Sequence, residues 1–249
     1  MPTDGHILIG IHAVNSALKT APADVQWLRL ADTSANKRIR AIEMNARSAG
    51  INVIKTPLVE LDRLASGQRH QGVVAGFKSG NLVSEGHLQA ILSEIEGTPL
   101  ILVLDGVQDP QNLGACLRTA EAAGVDLVIT CKDRSAGITP VVRRVACGAA
   151  ETLTIMQVTN LARVLRALKD HGIWLAGTSD EATANLYQSD LDGPLALVMG
   201  SEGQGLRRLS GELCDYLVRI PMAGQVESLN VSVATGVCLY EVNRQRQQD

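Results

Sequence analysis

The stretch Leu100–Gly124 reads LILVLDGVQDPQNLGACLRTAEAAG and has the pattern of a strand, a loop and a helix. Its first five residues, Leu100–Leu104, form an unbroken apolar run, which is typical of a strand buried on both faces of a parallel sheet. A polar loop follows, and Asn112–Ala123 then has the spacing of a helix, which Gly124 ends. The stretch therefore predicts one strand–helix unit of a parallel α/β sheet.

The same alternation continues to the end of the chain. The further strands that we predict are Leu127–Thr130, Leu153–Met156, Ile173–Ala176, Leu195–Met199 and Leu217–Ile220. The further helices begin at Thr139-Pro140 or cover Leu161–Lys169 (capped by Asn160), Leu206–Leu213 and Leu229–Arg244. We therefore expect residues 99–249 to form one α/β domain with helices on both faces of a parallel sheet.

The first part of the chain has shorter elements. The predicted helices are His12–Lys19, Asn36–Ala49 and Leu58–Leu64, and the predicted strands are Val25–Leu30, Ile51–Ile54 and Val73–Phe77. Residues 79–98 carry several glycines around one short helical run, His87–Ile95, which is typical of a connection. We expect a small α/β domain over 1–78, a linker over 79–98 and the larger domain over 99–249.

Composition and charge limit the possible functions. Hydrophobic residues make up 45% of the chain, which is enough for a core, and aromatic residues only 2%, which argues against a base-stacking platform. The net charge is −3, but residues 1–78 hold ten basic against six acidic residues, and residues 79–249 hold 13 against 20. This asymmetry allows a polyanionic partner at the front, but by itself it favours ordinary scatter of charge.

The five cysteines lie in apolar surroundings and form no CxxC pair, so we expect buried, reduced thiols. No cysteine or histidine has the spacing of a metal site, and we expect no metal. The sequence also lacks a signal-peptide pattern and any apolar run of about 18 residues. We therefore expect a cytoplasmic protein with no membrane partner.

Three loops that follow predicted strands are candidates for a ligand site, because parallel sheets bind ligands beyond the carboxyl ends of their strands. They are Asp105–Gly114, with Asn112 as a helix cap and Arg118 further along; Gly200–Gly205; and Pro221–Asn230, with Ser228 as the cap of the last helix. Each loop also has a purely structural explanation, as a capped loop, a tight turn or a capped buried helix. The local sequence pattern does not decide between a ligand site and a structural role.

Together, the three loops resemble the three motifs of the SpoU (TrmH-type) RNA 2′-O-methyltransferases. The matching segments, in the family's order and spacing, are Asn112–Ala120, Leu197–Gly203, and Ile220-Pro221-Met222 through Ser228–Ala234. Gly10–Val14, His70–Gly72, Asp133–Ser135 and Ala146–Glu151 extend the similarity. With them, the whole chain resembles the members that methylate a guanosine of 23S ribosomal RNA.

This resemblance implies a fold, a methyl donor and partners. The larger domain would be a SPOUT-type α/β trefoil knot that binds S-adenosylmethionine without a metal, and the first domain would be an L30e-like RNA-binding domain. The protein would be a homodimer with each site completed near the subunit interface. The implied substrate is a guanosine in the P loop of the peptidyl-transferase centre of 23S ribosomal RNA, methylated during ribosome biogenesis.

The resemblance also assigns roles to residues. The implied catalytic residues are Arg118, Asn112, Glu202, Ser228 and Asn230, and the implied donor-binding residues are Thr178, Gly200, Ile220, Met222 and Leu229. A guanidinium does not readily lose its proton. We therefore expect Arg118 to bind the target phosphate and to stabilise the developing alkoxide, while a phosphate oxygen or water takes the proton.

The sequence departs from the family pattern only slightly, and alternatives remain. Ser201 stands where the family often has alanine, and Gln225–Glu227 varies a part of the third motif that tends to vary. The first alternative is a tRNA 2′-O-methyltransferase of the same family, and the second is a non-catalytic RNA-binding assembly factor with the same fold. A nucleotide-binding oxidoreductase is disfavoured because no GxGxxG follows the first strand.

Overall fold

The structure is a computed structural model and describes residues 5–20, 22–32, 36–78 and 82–247. The strands are β1 (Gly5–Ile9), β2 (Val25–Ala31), β3 (Asn52–Thr56), β4 (Val73–Lys78), β5 (Leu82–Ser84), β6 (Leu100–Asp105), β7 (Leu127–Cys131), β8 (Ile155–Val158), β9 (Trp174–Thr178), β10 (Ala184–Asn185), β11 (Leu195–Gly200) and β12 (Tyr216–Arg219). The helices are α1 (Ile11–Thr20), α2 (Lys37–Ser48), α3 (Leu58–Leu64), α4 (Leu88–Glu94), α5 (Pro110–Ala122), α6 (Pro140–Ala146), α7 (Ala149–Thr152), α8 (Leu161–Asp170), α9 (Arg208–Leu213) and α10 (Val231–Arg246).

The chain divides into two compact units, Met1–Asn81 with Ile138–Thr152, and Leu82–Gly137 with Leu153–Asp249. The predicted boundaries at 78 and 98 stay a prediction, and residues 79–81 of the predicted linker lie outside the described residues. Two segments group differently from the predicted division. Strand β5, from the predicted linker, pairs with β8 of the second unit, and residues 138–152 group with the first unit.

The first unit is built on a four-stranded sheet in the order β1-β4-β2-β3. Strand β2 is parallel to β3, and β4 is antiparallel to both β1 and β2. One face buries a core that includes Leu28, Ile42 and Phe77. Strand β1 was not predicted, because a five-residue run that begins Gly-His carries little strand signal.

The second unit is an eight-stranded sheet in the order β10-β12-β9-β11-β6-β7-β8-β5, and all seven pairings are parallel. Every residue of β6 and β7 is buried. The unbroken apolar runs in these strands therefore have the predicted cause, namely burial on both faces. The predicted α/β class with a parallel sheet is confirmed, whereas the knot and the L30e-like first domain stay predictions.

Two predicted helix caps are wrong. Helix α5 begins at Pro110 and is capped by Asp109, whose side chain accepts a hydrogen bond from the Gln111 amide at 2.8 Å. Asn112 therefore lies inside the first turn, because an Asp-Pro pair is a strong cap and first residue. Helix α10 is capped by Asn230 and not by Ser228, since Asn230 Oδ1 accepts from the Ser232 amide at 2.9 Å.

The expectation of uniformly buried cysteines is wrong for two of the five. Cys116, Cys131 and Cys238 are buried, whereas Cys214 is half-buried and Cys147 is exposed. Cys147 caps α6 in a left-handed conformation with φ 54°, which places it at the surface. Among the described helices, none is long and apolar enough to span a membrane.

Candidate functional site

The three loops singled out in the sequence lie at one edge of the eight-stranded sheet. Strands β12, β9, β11 and β6 are neighbours and parallel, so their carboxyl ends point the same way. Gly200, the last residue of β11, pairs in register with Asp105, the last residue of β6. The loops that leave these strands therefore start side by side, as expected for a ligand site of a parallel sheet.

Asn230 connects the three loops through its side chain. Its Nδ2 donates to Asn112 Oδ1 at 3.0 Å and to Glu202 Oε1 at 2.6 Å. Its Oδ1 accepts from the backbone amide and the hydroxyl of Ser232, at 2.9 and 2.6 Å. The structure thus brings together Asn112, Glu202 and Asn230, which are three of the five predicted catalytic residues. Their catalytic roles stay a prediction.

A cavity of about 280 Å³ lies beside this contact. Most of its walls come from the loop after β6 and the turn after β11, and the lining residues are Gly106, Val107, Gln108, Asp109, Asn112, Ser201, Glu202, Gln204 and Val231. Asn112 is buried, whereas Glu202 is exposed. The cavity therefore combines a fixed amide in its wall with a carboxylate at its mouth, which suits a polar ligand that carries hydroxyl groups.

The other two predicted catalytic residues lie outside this contact. Arg118 is exposed on α5, six residues beyond Asn112, which corresponds to about 9 Å along the helix axis. Ser228 is exposed in the loop two residues before the cap of α10. Their catalytic roles also stay predictions.

The predicted donor-binding residues follow the same edge of the sheet. Thr178 and Gly200 end the neighbouring strands β9 and β11, and Ile220 comes directly after β12. Met222 is 37% exposed, and Leu229 is half-buried just before Asn230. Their roles in binding a donor also stay a prediction.

The glycine-rich segment after β11 is a tight turn. The amides of Ser201 and Gly205 donate to each other's carbonyl oxygens, both at 3.0 Å. A Cβ on Gly200 would lie 2.1 Å from the carbonyl carbon of Gly205 and 2.3 Å from the amide nitrogen of Leu206. The fold of the chain therefore requires glycine at position 200, so the structural explanation of this segment as a tight turn is correct. A tight turn at this position does not exclude a ligand site beside it.

We expect Gly200→Ala to weaken binding of the methyl donor about tenfold, because the added methyl group must displace the backbone of the turn. Isothermal titration with S-adenosylmethionine measures this loss. Gly193→Ala is the matched control, since a Cβ there meets no atom within 4 Å. Equal donor affinities of the Gly200 variant and the wild type would contradict the prediction.

Sequence reasoning missed an ion pair between a buried carboxylate, Asp105, and a partly exposed guanidinium, Arg207, which follows the turn. The Asp105 carboxylate is fully buried, accepts from the Arg207 amide at 3.1 Å and lies 3.3 Å from the Arg207 guanidinium. An acidic residue at the end of an otherwise apolar strand is the signal that could have found it.

The thiols of Cys131 and Cys116 are poor bases and nucleophiles. Burial raises the pKa of Cys131, and it raises the pKa of Cys116 to about 11.

Comparison with known proteins identifies the family. Residues 99–240 match the model of the SpoU rRNA Methylase family, and residues 7–82 match the model described as RNA 2′-O ribose methyltransferase substrate binding. The 23S rRNA (guanosine-2′-O-)-methyltransferase RlmB of Shewanella oneidensis is 51% identical over 96% of this chain and 97% of its own length.

Two solved structures show how far the likeness extends. The SpoU methyltransferase AviRb from Streptomyces viridochromogenes, in complex with AdoMet, is 25% identical with a TM-score of 0.81, over 99% of this chain and 92% of that chain. The A. aeolicus TrmH/SpoU tRNA modifying enzyme is 33% identical with a TM-score of 0.55, over 66% of this chain and 84% of that chain. With a family model that covers more than half of its length and a relative that matches nearly all of it, this chain belongs to the SpoU rRNA methylase family.

Proposed function

We propose that this protein transfers the methyl group of S-adenosylmethionine to the ribose 2′-hydroxyl of a guanosine in 23S ribosomal RNA. The observation that carries the proposal is the joint contact of Asn230 with Asn112 and Glu202, which unites the three family motifs at one edge of the sheet. The match of the RlmB relative over 96% of the chain supports the ribosomal substrate. The P loop of the peptidyl-transferase centre is the proposed location of the target.

The loop between β12 and α10 fits a nucleoside donor. Over residues 221–229 it has neither helix nor strand, and within the described chain its backbone makes no hydrogen bond to another backbone group. The backbone amides and carbonyls of this exposed loop are open to a ligand, and the edges of an adenine and a ribose match them in hydrogen bonding. S-adenosylmethionine provides an electrophilic methyl group on a sulfonium, and this loop with Thr178 and Gly200 would hold it.

The chain's own residues have to position the hydroxyl and manage its proton. Asn112 and Glu202 fix the amide of Asn230, so the polar wall of the cavity is ordered before substrate arrives. The guanidinium of Arg118 binds the phosphate beside the target ribose and stabilises the negative charge that develops on the 2′-oxygen. A phosphate oxygen or a water molecule accepts the proton.

The first alternative is a tRNA substrate. The tRNA modifying enzyme from A. aeolicus matches only 66% of this chain, whereas the RlmB relative also matches the first unit. The residues that match the substrate-binding model, 7–82, therefore favour ribosomal RNA. The second alternative, an assembly factor without catalysis, is disfavoured by the intact contact among Asn112, Glu202 and Asn230.

The test is transfer of tritium from labelled S-adenosylmethionine to transcripts of 23S ribosomal RNA and of tRNA, followed by mapping of the labelled nucleotide. We expect label on a guanosine of the 23S transcript. Label on tRNA alone would refute the ribosomal substrate. Absence of label from both RNAs, free or in ribosomal particles, would favour the assembly factor.

We also propose that the protein is a cytoplasmic homodimer. Val233 and Tyr240 are 52% and 55% exposed on α10, and Val237, half-buried, lies between them. The spacing of four and three residues puts all three on one side of the helix. An exposed apolar stripe of this kind suits a second copy of the chain, and sedimentation equilibrium measures the stoichiometry.

The first unit carries a basic cluster that suits an RNA backbone. Lys37, Arg38 and Arg40 are exposed in the first turns of α2, and no ion pair of theirs is found within the described parts of the chain. Arg47 and Lys55, in contrast, both pair with Glu43. Positive charges at a helix N-terminus are unfavourable for the helix, because they oppose its dipole. These residues therefore do not serve helix stability, and contact with a polyanionic partner would explain them.

We expect the double variant Lys37→Glu/Arg40→Glu to bind the 23S transcript at least about tenfold more weakly and with a shallower dependence of affinity on salt, because fewer counterions are released. Affinity measured at several salt concentrations provides both values. Arg166→Glu, at an exposed arginine of α8 in the second unit, is the control for the effect of a single charge reversal. If the salt slope of the double variant stayed that of the wild type, the cluster would not contact RNA.

A further inference from the structure

The carboxylate of Asp105 is fully buried at the end of β6 and lies close to three groups of two residues, Arg207 and Cys131. Its Oδ2 accepts from the Arg207 amide at 3.1 Å, its Oδ1 lies 3.3 Å from Arg207 Nη1, and the Cys131 thiol is 4.0 Å from Oδ1. Arg207 Nη1 also donates to Cys131 Sγ at 3.5 Å. A buried carboxylate is costly unless it is paired, so Asp105 holds the segment that carries Arg207.

The ion pair joins the two loops that form most of the cavity wall. Asp105 directly precedes Gly106, the first lining residue, and Arg207 follows the turn Ser201–Gly205, which carries Glu202. The guanidinium also lies against Gly106, because a Cβ there would be 3.1 Å from Arg207 Nη2. Displacement of Arg207 would therefore change the separation of the two loops.

We propose that Asp105 and Arg207 are positioning residues of the methyl transfer: their ion pair holds the turn with Glu202 against the loop that leads to Asn112. This inference rests on the proposed function of the site. Neither side chain lines the cavity, so both act through Asn112, Glu202 and Asn230. A misplacement of about 1 Å in such groups lowers a rate about 100-fold.

The experiment is a double-mutant cycle of Asp105→Asn, Arg207→Gln and the double variant, with kcat, the KM for 23S transcript and the Kd for S-adenosylmethionine measured for each. Arg208→Gln is the matched control, because Arg208 is the next residue and pairs at the surface with Glu212. The double variant leaves neither charge buried alone and should fold even if a single variant does not. Circular dichroism and thermal melting check the fold of each protein.

We expect each single variant to lose about 100-fold in kcat, while the KM for RNA and the Kd for the donor change less than about threefold. We expect the double variant to lose no more than the worse single variant, because both changes break the same contact. Multiplied losses in the double variant would overturn the pairing. A change confined to the KM for RNA in Arg207→Gln would make Arg207 a phosphate contact and would also overturn the proposal.

A second measurement does not depend on catalysis. In a Cys147→Ser background, which removes the exposed thiol, alkylation of Cys131 by N-ethylmaleimide is followed by peptide mass spectrometry. Arg207 Nη1 donates to Cys131 Sγ at 3.5 Å, so loss of the guanidinium should open this side of the thiol. We therefore expect Arg207→Gln to be alkylated at Cys131 at least about tenfold faster than wild type and than Arg208→Gln. An unchanged alkylation rate would refute the positioning contact. Inactivity of wild type on both RNAs would refute the proposed function and leave this result standing.

Discussion

Replacement of Asn230 by aspartate is expected to lower kcat for methylation of the 23S transcript about 100-fold, because Asn112 and Glu202 are no longer held in place and a misplacement of about 1 Å has an effect of that size. The change keeps the helix cap, because an aspartate oxygen still accepts from the Ser232 amide. It removes the amide that donates to Asn112 and Glu202, and it puts a second carboxylate at the 2.6 Å contact with Glu202. Steady-state kinetics with saturating donor measures the effect.

The matched control is Asn160→Asp. Asn160 caps α8 in the same way, with Oδ1 accepting from the Arg163 amide at 3.1 Å, and it lies outside the candidate site. Thermal melting checks that both variants are folded, so loss of activity in only the Asn230 variant separates the site from the cap. Near wild-type kcat in Asn230→Asp would remove Asn230 from the proposed catalytic residues.

Replacement of Arg118 by lysine is expected to lower the single-turnover rate of methylation about 100-fold. Lysine keeps the positive charge but loses the planar fork of donors that binds a phosphate and a developing alkoxide together. Rapid quench of a preformed complex of enzyme, RNA and labelled donor isolates this step from binding.

The control for this change is Arg166→Lys, at an exposed arginine of α8. It should methylate at the wild-type rate. A near wild-type rate in Arg118→Lys as well would show that the fork is unnecessary, and the role proposed for Arg118 would then be wrong.

The sequence predicted the α/β class well because the signal is local. An apolar run such as Leu100–Leu104 can be recognised without its neighbours, and the structure buries every residue of β6. Short strands were harder to predict. β1 and β5 have little strand pattern in their own residues, and they are strands because they pair with β4 and β8. The two helix caps were misplaced for a related reason: Asp109 and Asn112, or Ser228 and Asn230, are all good capping residues, and only the folded backbone selects one.

The candidate site was recognisable as motifs but not as a geometry. By itself, the sequence determined a parallel α/β domain, the family and the loops after β6, β11 and β12, because periodicity and motif spacing are properties of contiguous residues. Only the tertiary structure decided that Asn230 donates to both Asn112 and Glu202, and that Asp105 is buried against Arg207. These contacts join residues 28 to 118 positions apart, and their distances depend on strand order and register, which no local pattern encodes.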